Sequence, residues 1–279
     1  MEGFSKGQKR IARFILEQYD KAAYITAAKL GAGVGVSEST VVRFASELGY
    51  EGYPAMQKAI KAMIRTKLTA AQRIEVTSGL FSRDDVVNSV LESDMENIKS
   101  TIDGIDKEEF KAITNAIISA KNVYIVGVRS SAALASFFSF HLNLIRSNVK
   151  LVQSATASEL FEQIFRIEEG DVLIGMSFPR YSKRTLKAVN YAKSRNATVV
   201  CITDSKTAPA AEISDFCLTA KSDMISVVDS LVAPLSIINA LLVSICMSRE
   251  NEVLNAFNKL EGIWDEYQVY EKSESERQG

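Results

Sequence analysis

The chain of 279 residues is long enough for one or two domains, and its 47% hydrophobic content is sufficient for a sizeable core. Its formal net charge of −1 hides an uneven distribution. Residues 1–73 contain 12 Lys and Arg against 6 Asp and Glu, whereas the remainder contains 21 against 28. This asymmetry predicts a basic module for an anionic partner, joined to an acidic module with another task. The alternative is chance variation among solvated charges.

Cysteine usage and hydrophobic runs argue against several classes of protein. Cys201, Cys217 and Cys246 are scattered through apolar runs without CxxC spacing, which disfavours a disulfide or zinc framework and favours a reducing compartment. Residues 1–5 show no signal-peptide pattern, and the longest apolar run, 231–247, is too short and too polar for a membrane span. We therefore expect a soluble cytoplasmic protein with no membrane partner.

The first 50 residues show the pattern of a helix-turn-helix. Ser5 is placed to cap a helix that continues to about Tyr19, and a second, short helix is predicted over roughly 22–31. The glycine-rich stretch 32–35 is predicted to form a tight turn before a third helix over 38–48. A helix, a short glycine-containing turn and a second helix form the outline of a motif that inserts its second helix into the major groove of DNA.

The third predicted helix has two distinct faces. Ser37 is its N-cap candidate, and Gly49 is placed to end it. One face is an apolar stripe at helical spacing, made of Val41, Phe44, Ala45 and Leu48. The other face carries short polar side chains and one long cation suited to bases and phosphates, namely Glu38, Ser39, Thr40 and Arg43. The alternative interpretation is an ordinary amphipathic helix with a solvated face.

A basic helix is predicted after Pro54, and its surface suits either phosphate contacts or plain solvent exposure.

The stretches 35–44 (GVSESTVVRF) and 48–56 (LGYEGYPAM) resemble the N-terminal domain of the RpiR-type bacterial transcriptional regulators, over about residues 1–77. Gly31, where that family commonly has alanine, is expected to loosen the turn. The candidate DNA-contacting residues are Ser37, Glu38, Ser39, Thr40, Arg43, Tyr53 and Lys58.

The chain beyond the basic module divides into a linker, a second domain and a tail. The helical pattern weakens over residues 75–83, and two helices are predicted after it, over 84–102 and 106–120. We therefore expect a helix-turn-helix domain over 1–77 and a linker with a helix over 78–106. The second domain covers 107–250, and a C-terminal helix with a disordered tail covers 251–279.

The second domain changes to the pattern of a parallel sheet. Five short, β-branched apolar runs are predicted as strands, over 123–126, 150–152, 172–176, 199–202 and 216–218. Amphipathic helical stretches separate most of them. The expected fold is a three-layer α/β domain with a five-stranded, mostly parallel sheet in flavodoxin-like order and helices on both faces. In such folds ligands bind beyond the carboxyl ends of the strands.

Two of the loops at that edge are rich in hydroxyl groups. The stretch 127–131 (GVRSS) follows the first strand, and 177–182 (SFPRYS) follows the third, with Thr185 just inside the next helix. Hydroxyls and backbone amides at a helix N-terminus favour a phosphate dianion, and Arg129 and Arg180 add positive charge. The alternative for each loop is helix capping alone. No GxGxxG or GxxxxGK[ST] motif occurs, so neither a dinucleotide nor a nucleoside triphosphate is indicated.

Residues 107–250 resemble the sugar isomerase (SIS) domain, which binds phosphosugars and usually forms the C-terminal half of RpiR-type regulators. The family's phosphate loop normally reads Ser-x-Ser-Gly-x-Thr. Here Ser177 and Ser182 keep the outer hydroxyls, whereas Pro179 and Arg180 replace the middle serine and the glycine. The residues implied in sugar-phosphate binding are Ser130, Ser131, Glu159, Ser177, Arg180, Ser182 and Thr185.

SIS domains also occur in isomerases, which need a base near the carbon next to the carbonyl. The only histidine, His141, lies in mid-helix between apolar residues, as a packed histidine does. Glu159 resembles an acidic residue that reaches the sugar in isomerases, and it could be a base, a ligand for a sugar hydroxyl or a first-turn helix acid. An appended DNA-binding domain makes catalysis unnecessary, so no catalytic residue, metal or cofactor is predicted.

The sequence therefore predicts a regulator of carbohydrate genes whose DNA binding responds to a sugar phosphate. The alternative is an SIS-fold enzyme with an accessory DNA-binding domain. The predicted partners are a palindromic double-stranded operator and a second copy of the chain in a homodimer, with a tetramer as the alternative. Two long apolar helices, over 226–249 and 252–270, are expected to pack between subunits or on their own sheet.

Overall fold

The computed structural model describes residues 3–64, 69–77, 85–153, 156–223 and 228–270. They divide into an N-terminal unit, Met1–Glu96 with Asp223–Ser230, and a sheet unit, Asn97–Ser222 with Leu231–Gly279. The division at residue 96 falls within the predicted linker 78–106. Residues 78–84 of that linker, and the predicted disordered tail from 271 onward, lie outside the described residues.

The helices of the N-terminal unit begin at hydroxyl caps, as their sequence suggests. The side chain of Ser5 accepts from Gln8 N in a capping box, Thr26 accepts from Lys29 N, and Ser37 accepts from Thr40 N. The helices that begin in this unit are α1 (Lys6–Glu17), α2 (Tyr19–Ala22), α3 (Ala27–Val34), α4 (Glu38–Glu47), α5 (Tyr53–Ile64), α6 (Ala70–Thr77) and α7 (Val86–Gly104).

The second predicted helix, over 22–31, is wrong in its bounds. The chain turns after Ala22, and α3 then runs from Ala27 to Val34, so the supposed glycine-rich turn is mostly helix. Only Gly35 leaves the helix, with a left-handed φ of 69°. Two backbone bonds, from Gly35 N to Ala32 O and from Val36 N to Gly31 O, close the end of α3 in a Schellman arrangement.

The core of the N-terminal unit is built from the apolar stripes of α1, α3, α4 and α5. Its buried side chains include Ile11, Leu30, Val41, Phe44, Met56 and Ile60. Leu48, predicted to extend the stripe of α4, is 45% exposed instead, because α4 ends at Glu47 and the chain turns away at Gly49 with a positive φ. The stripe therefore ends at Ala45.

The sheet unit has the order β2-β1-β3-β4-β5, and every pairing in this sheet is parallel. The predicted fold class and the flavodoxin-like order are confirmed. The elements are α8 (Lys107–Ser119), β1 (Val123–Gly127), α9 (Ser131–Ile145), β2 (Val149–Val152), α10 (Ala157–Ile164), β3 (Val172–Met176), α11 (Lys183–Ser194), β4 (Thr198–Thr203), β5 (Phe216–Thr219), α12 (Val232–Ser248) and α13 (Glu250–Glu266).

The two faces of the sheet support separate cores, because successive strand residues point in opposite directions. Ile125 and Ile174 face buried residues of α8, α9 and α12, whereas Tyr124 and Leu173 face those of α10 and α11. The predicted helix over 226–249 therefore packs on its own sheet, and it begins only at Val232. Among the described residues no single helix is long and apolar enough to cross a membrane; α12 and α13 meet that test only as a pair bent by 101°.

Candidate functional site

The turn between α3 and α4 fixes the approach of the two helices. A Cβ built on Gly31 would lie 2.8 Å from the carbonyl oxygen of Val36, so the first residues of α4 rest directly on a glycine of α3. The Gly35 carbonyl accepts from the Arg10 guanidinium at 3.1 Å. Gly31 was expected to loosen this turn, but in the structure it permits a closer contact than alanine would allow.

The outer face of α4 carries the predicted polar side chains. Ser37, Glu38, Ser39 and Arg43 are exposed, and Thr40 is half-buried. The Ser37 hydroxyl is shared between the Ser39 hydroxyl at 2.9 Å, the Thr40 hydroxyl at 2.8 Å and the Thr40 amide at 3.3 Å. Ser37 therefore organises the helix start, and the side chains of Glu38, Ser39 and Arg43 extend into solvent. Lys58 on α5 is also exposed.

Tyr53 does not belong to this exposed set. It is 4% exposed, and its hydroxyl donates to the carbonyl oxygens of Ile25 at 2.8 Å and Ala22 at 3.2 Å. Burial raises the pKa of Tyr53 to about 12, although its hydrogen bond with Gln57 opposes part of the shift. Gln57 donates to the same Ile25 carbonyl at 2.7 Å. Tyr53 thus ties the start of α5 to the segment between α2 and α3, and we remove it from the DNA-contacting set.

The first strand-end loop is fixed by a glycine. A Cβ on Gly127 would collide with the Ser131 carbonyl, so α9 begins directly against the end of β1. Ser131 is buried by this contact, whereas Ser130 is exposed. Arg129, between them and the strand, adopts a left-handed φ of 61° and has an exposed side chain.

The second strand-end loop is tied to the start of α11. The Ser177 hydroxyl accepts from Ser182 N at 3.2 Å, and the Ser182 hydroxyl accepts from Arg184 N at 3.2 Å and Thr185 N at 3.5 Å. Thr185 is fully buried, and its hydroxyl has no hydrogen-bond partner within the described parts of the chain. Ser177 and Ser182 therefore shape the loop, as the capping interpretation expects, and Thr185 faces inward.

The departures from the usual phosphate loop have clear structural effects. Phe178 and Pro179 are buried, so this half of the loop is anchored in the domain. Arg180 is exposed with a left-handed φ of 66°, at the position where the resemblance expects glycine. The loop keeps the glycine-like backbone and adds a cation to it.

Sequence reasoning missed the residues that hold this loop from β4. The Thr203 hydroxyl donates to the Ser177 carbonyl at 2.6 Å, and the Tyr181 hydroxyl donates to Asp204 Oδ1 at 2.9 Å. Asp204 is 8% exposed. The position of Thr203 and Asp204 at the carboxyl end of β4, next to β3, was the available signal.

The two arginine loops begin at neighbouring positions of the sheet. Gly127, the last residue of β1, pairs in register with Met176, the last residue of β3. Arg129 follows the first by two residues, and Arg180 follows the second by four. The structure thus places two exposed arginines, each with a left-handed backbone, on loops that follow adjacent strands at the same edge of the sheet.

Glu159 and His141 have ordinary structural surroundings. The Glu159 carboxylate accepts from Thr156 N at 3.3 Å, and Thr156 caps Glu159 N in return, so Glu159 closes a capping box at the start of α10. His141 is half-buried, with its ring centroid 4.4 Å from that of Phe137 and 5.1 Å from that of Phe140. These contacts match the first-turn acid and the packed histidine.

Two models of known domain families match separate parts of the chain. A model of the helix-turn-helix domain of the rpiR family matches residues 1–67, and a model of the SIS domain matches residues 116–244. Together they cover well over half of the sequence. The chain therefore carries an rpiR-family helix-turn-helix domain followed by an SIS domain.

Individual relatives extend over both units. An uncharacterized HTH-type transcriptional regulator from Caldanaerobacter subterraneus subsp. tengcongensis is 24% identical over 258 residues, which are 90% of this chain and 89% of that protein. The sugar isomerase domain of an RpiR transcription factor from Sphaerobacter thermophilus has a TM-score of 0.61 and 26% identity, covering 63% of this chain and 98% of that one. Vibrio vulnificus NanR complexed with ManNAc-6P has a TM-score of 0.60 and 20% identity, covering 96% of both chains.

Proposed function

We propose that this chain is a cytoplasmic transcriptional regulator of carbohydrate genes, whose affinity for its operator is set by a bound sugar phosphate. The observation that carries the proposal is the pairing of two features in one chain. The first is the exposed polar face of a helix in an rpiR helix-turn-helix unit. The second is a pair of arginines with left-handed backbone, on loops that follow adjacent strands of an SIS sheet.

The DNA-binding part of the proposal rests on the outer face of α4. Arg43 has the length and donor geometry to contact guanine or phosphate, Ser39 can bond to any base, and Glu38 can accept from cytosine. Lys58 on the following helix contributes a phosphate contact. Two copies of α4 in a homodimer read the two half-sites of a palindromic operator, as the geometry of such motifs requires.

The effector part rests on Arg129 and Arg180. A left-handed backbone costs a non-glycine residue roughly 1–2 kcal/mol, and such strain is concentrated where function maintains it. Both arginines lie beyond parallel strand ends, where ligands of this fold class bind. The positive end of the α11 helix dipole favours an anion at the same edge. The complex of NanR with ManNAc-6P supports a phosphosugar as the class of ligand.

The alternative of an SIS-fold enzyme has no comparable support. An isomerase needs a base positioned at the sugar carbon, and the carboxylate of Glu159 is engaged at the start of its own helix. Incubation with a panel of aldose and ketose phosphates separates the two functions. Turnover that Glu159→Gln abolishes would establish the enzyme and reject a purely regulatory role.

Thermal unfolding of the full chain against a panel of pentose, hexose and amino-sugar phosphates tests the effector class. A ligand that binds only the folded protein raises the midpoint temperature in proportion to its occupancy. We expect a shift with at least one sugar phosphate and none with the matching unphosphorylated sugar. Equal shifts with both would show that the site does not recognise phosphate.

A further inference from the structure

Helix α1 carries a row of cations along one face. The helix has no acidic side chain before Glu17, and its cations recur at the helical spacing i, i+3, i+4 and i+7. All four are exposed, and none forms an ion pair with a residue that the structure describes. This basic row of α1 consists of Lys6, Lys9, Arg10 and Arg13.

The basic row lies beside the start of α4, within the N-terminal unit. The Arg10 guanidinium donates to the Gly35 carbonyl, in the turn before α4, with an Nη2 to O distance of 3.1 Å. On the neighbouring face of α1, a Cβ built on Gly7 would lie 3.2 Å from Val36 Cγ1 and 3.7 Å from Thr40 Cγ2. Helix α1 therefore rests against the first turn of α4. The basic row borders the end of α4 that carries the first of its exposed polar side chains.

The basic row does not favour the stability of α1 itself. Lys6 is the first residue of the helix, where the positive end of the helix dipole disfavours a cation. Lys6 and Arg10 stand four residues apart, as do Lys9 and Arg13, and like charges at this spacing repel each other. Sequences that oppose local stability in this way are expected mainly at functional sites. An anionic partner therefore explains the basic row better than the fold does.

We propose that the basic row of α1 binds the phosphate backbone of duplex DNA, beside the groove that α4 enters. The proposal rests on the DNA-binding function proposed above and adds to it a second surface, which contributes affinity but reads no base. In helix-turn-helix complexes the N-terminal residues of the recognition helix contact the base edges. Phosphates line the major groove, which is only about 12 Å wide, so cations that flank this end of α4 face the backbone of one strand. Arg10 also positions the row, because it holds the turn before α4.

A triple variant, Lys6→Gln with Lys9→Gln and Arg13→Gln, tests the basic row and leaves Arg10 in place at the turn. A charge-exchange variant, Lys6→Arg with Lys9→Arg and Arg13→Lys, keeps the positive charge at the same positions. The matched control removes three exposed lysines of the sheet unit, by Lys107→Gln, Lys111→Gln and Lys259→Gln.

Affinity is measured by fluorescence anisotropy in about 50 to 200 mM salt, the range over which phosphate contacts weaken strongly. Two duplexes of equal length are used, one that the wild-type protein selects from a random library and one with that sequence scrambled. Each lost phosphate contact lowers the slope of log affinity against log salt by about 0.9. We expect the glutamine variant to lose about two to three from this slope and to bind both duplexes at least about tenfold more weakly at low salt. The charge-exchange variant and the control should keep the wild-type slope.

An unchanged slope in the glutamine variant overturns the proposal and leaves the role of α4 intact. An equal loss of slope in the control also overturns it, because net charge alone would then explain the effect. Weaker binding to the selected duplex only would show that the row reads bases, which contradicts a backbone contact. If the wild-type protein binds neither duplex at low salt, the DNA-binding function fails, and this proposal fails with it.

Urea denaturation separates a DNA contact from a structural role. Because the glutamine variant removes like-charge repulsion, we expect its unfolding midpoint to equal or exceed that of wild type. A lower midpoint, or a variant that does not fold, would assign the row to the fold and overturn the proposal.

Discussion

Arg180 offers a sharp test of the effector site, because the structure assigns it two opposing effects. Its φ of 66° is unfavourable for any residue with a Cβ, whereas its exposed guanidinium is available to an anion. Arg180→Gly and Arg180→Ala both remove the cation, but only the glycine variant also relieves the backbone. Comparing the two variants separates the cost of strain from the benefit of charge.

The magnitudes follow from these two effects. Relief of a left-handed backbone is worth about 1 kcal/mol, so Arg180→Gly should unfold at a higher urea concentration than Arg180→Ala, after allowing for glycine's greater freedom in the unfolded chain. A hydrogen bond to a charged group contributes about 1.5–3 kcal/mol, so both variants should bind the sugar phosphate roughly 10- to 100-fold more weakly than wild type.

Urea denaturation and calorimetry on the same preparations provide the two measurements. Arg129→Ala is the companion variant, and we expect a similar loss of affinity for the ligand. The reasoning is refuted if both Arg180 variants bind the sugar phosphate as tightly as wild type. It is also refuted if the alanine variant is more stable than the glycine variant by the roughly 0.4–1 kcal/mol that glycine's freedom in the unfolded chain costs, because the backbone would then carry no strain.

Three further predictions concern the N-terminal unit. Arg43→Ala should weaken binding to the selected operator by roughly 1–3 kcal/mol and relax the preference for one base. Lys58→Ala should instead weaken binding to all DNA sequences alike and lower the number of counterions released on binding by about one. If gel-shift titrations show that Arg43→Ala weakens binding to all sequences equally, Arg43 does not read a base. Tyr53→Phe should cost about 1 kcal/mol of stability and leave operator affinity unchanged, since its hydroxyl is buried on two carbonyls; weaker DNA binding at unchanged stability would return it to the interface. Because the folded pKa of Tyr53 is raised to about 12 from 10.0, its hydroxyl stabilises the fold fully below pH 10, and wild type should lose stability relative to Tyr53→Phe as pH rises from 10 to 12; parallel pH profiles in urea denaturation would contradict this.

The fold was largely predictable because its strands are continuous apolar runs separated by amphipathic helices. The five runs match the strands closely, and the parallel order follows from the alternation of strands and helices. The bounds of α3 were not predictable from composition. Gly31 and Gly33 suggest a turn, but close packing against the start of α4 requires a glycine at position 31 inside the helix. Tertiary contact overrode local propensity there.

The sites were less predictable because exposure and long-range contacts decide them. Tyr53 and Arg43 both lie in the stretches that resemble the RpiR-type domain, and only burial separates the structural residue from the exposed one. The contact of Arg10 with Gly35 joins residues 25 positions apart, and no local pattern indicates it. By contrast, the sequence did predict that the loops carrying Arg129 and Arg180 leave the same edge of the sheet, because both follow strands whose carboxyl ends meet there.

The most direct test of the central claim is the affinity of the full chain for its selected operator, measured by fluorescence anisotropy with and without a saturating sugar phosphate that it binds. Coupling between two sites typically amounts to 1–3 kcal/mol, so we expect the dissociation constant to change by at least about fivefold. The unphosphorylated sugar should leave it unchanged. An operator affinity that stays the same when the bound sugar phosphate saturates the protein would contradict regulation by this ligand.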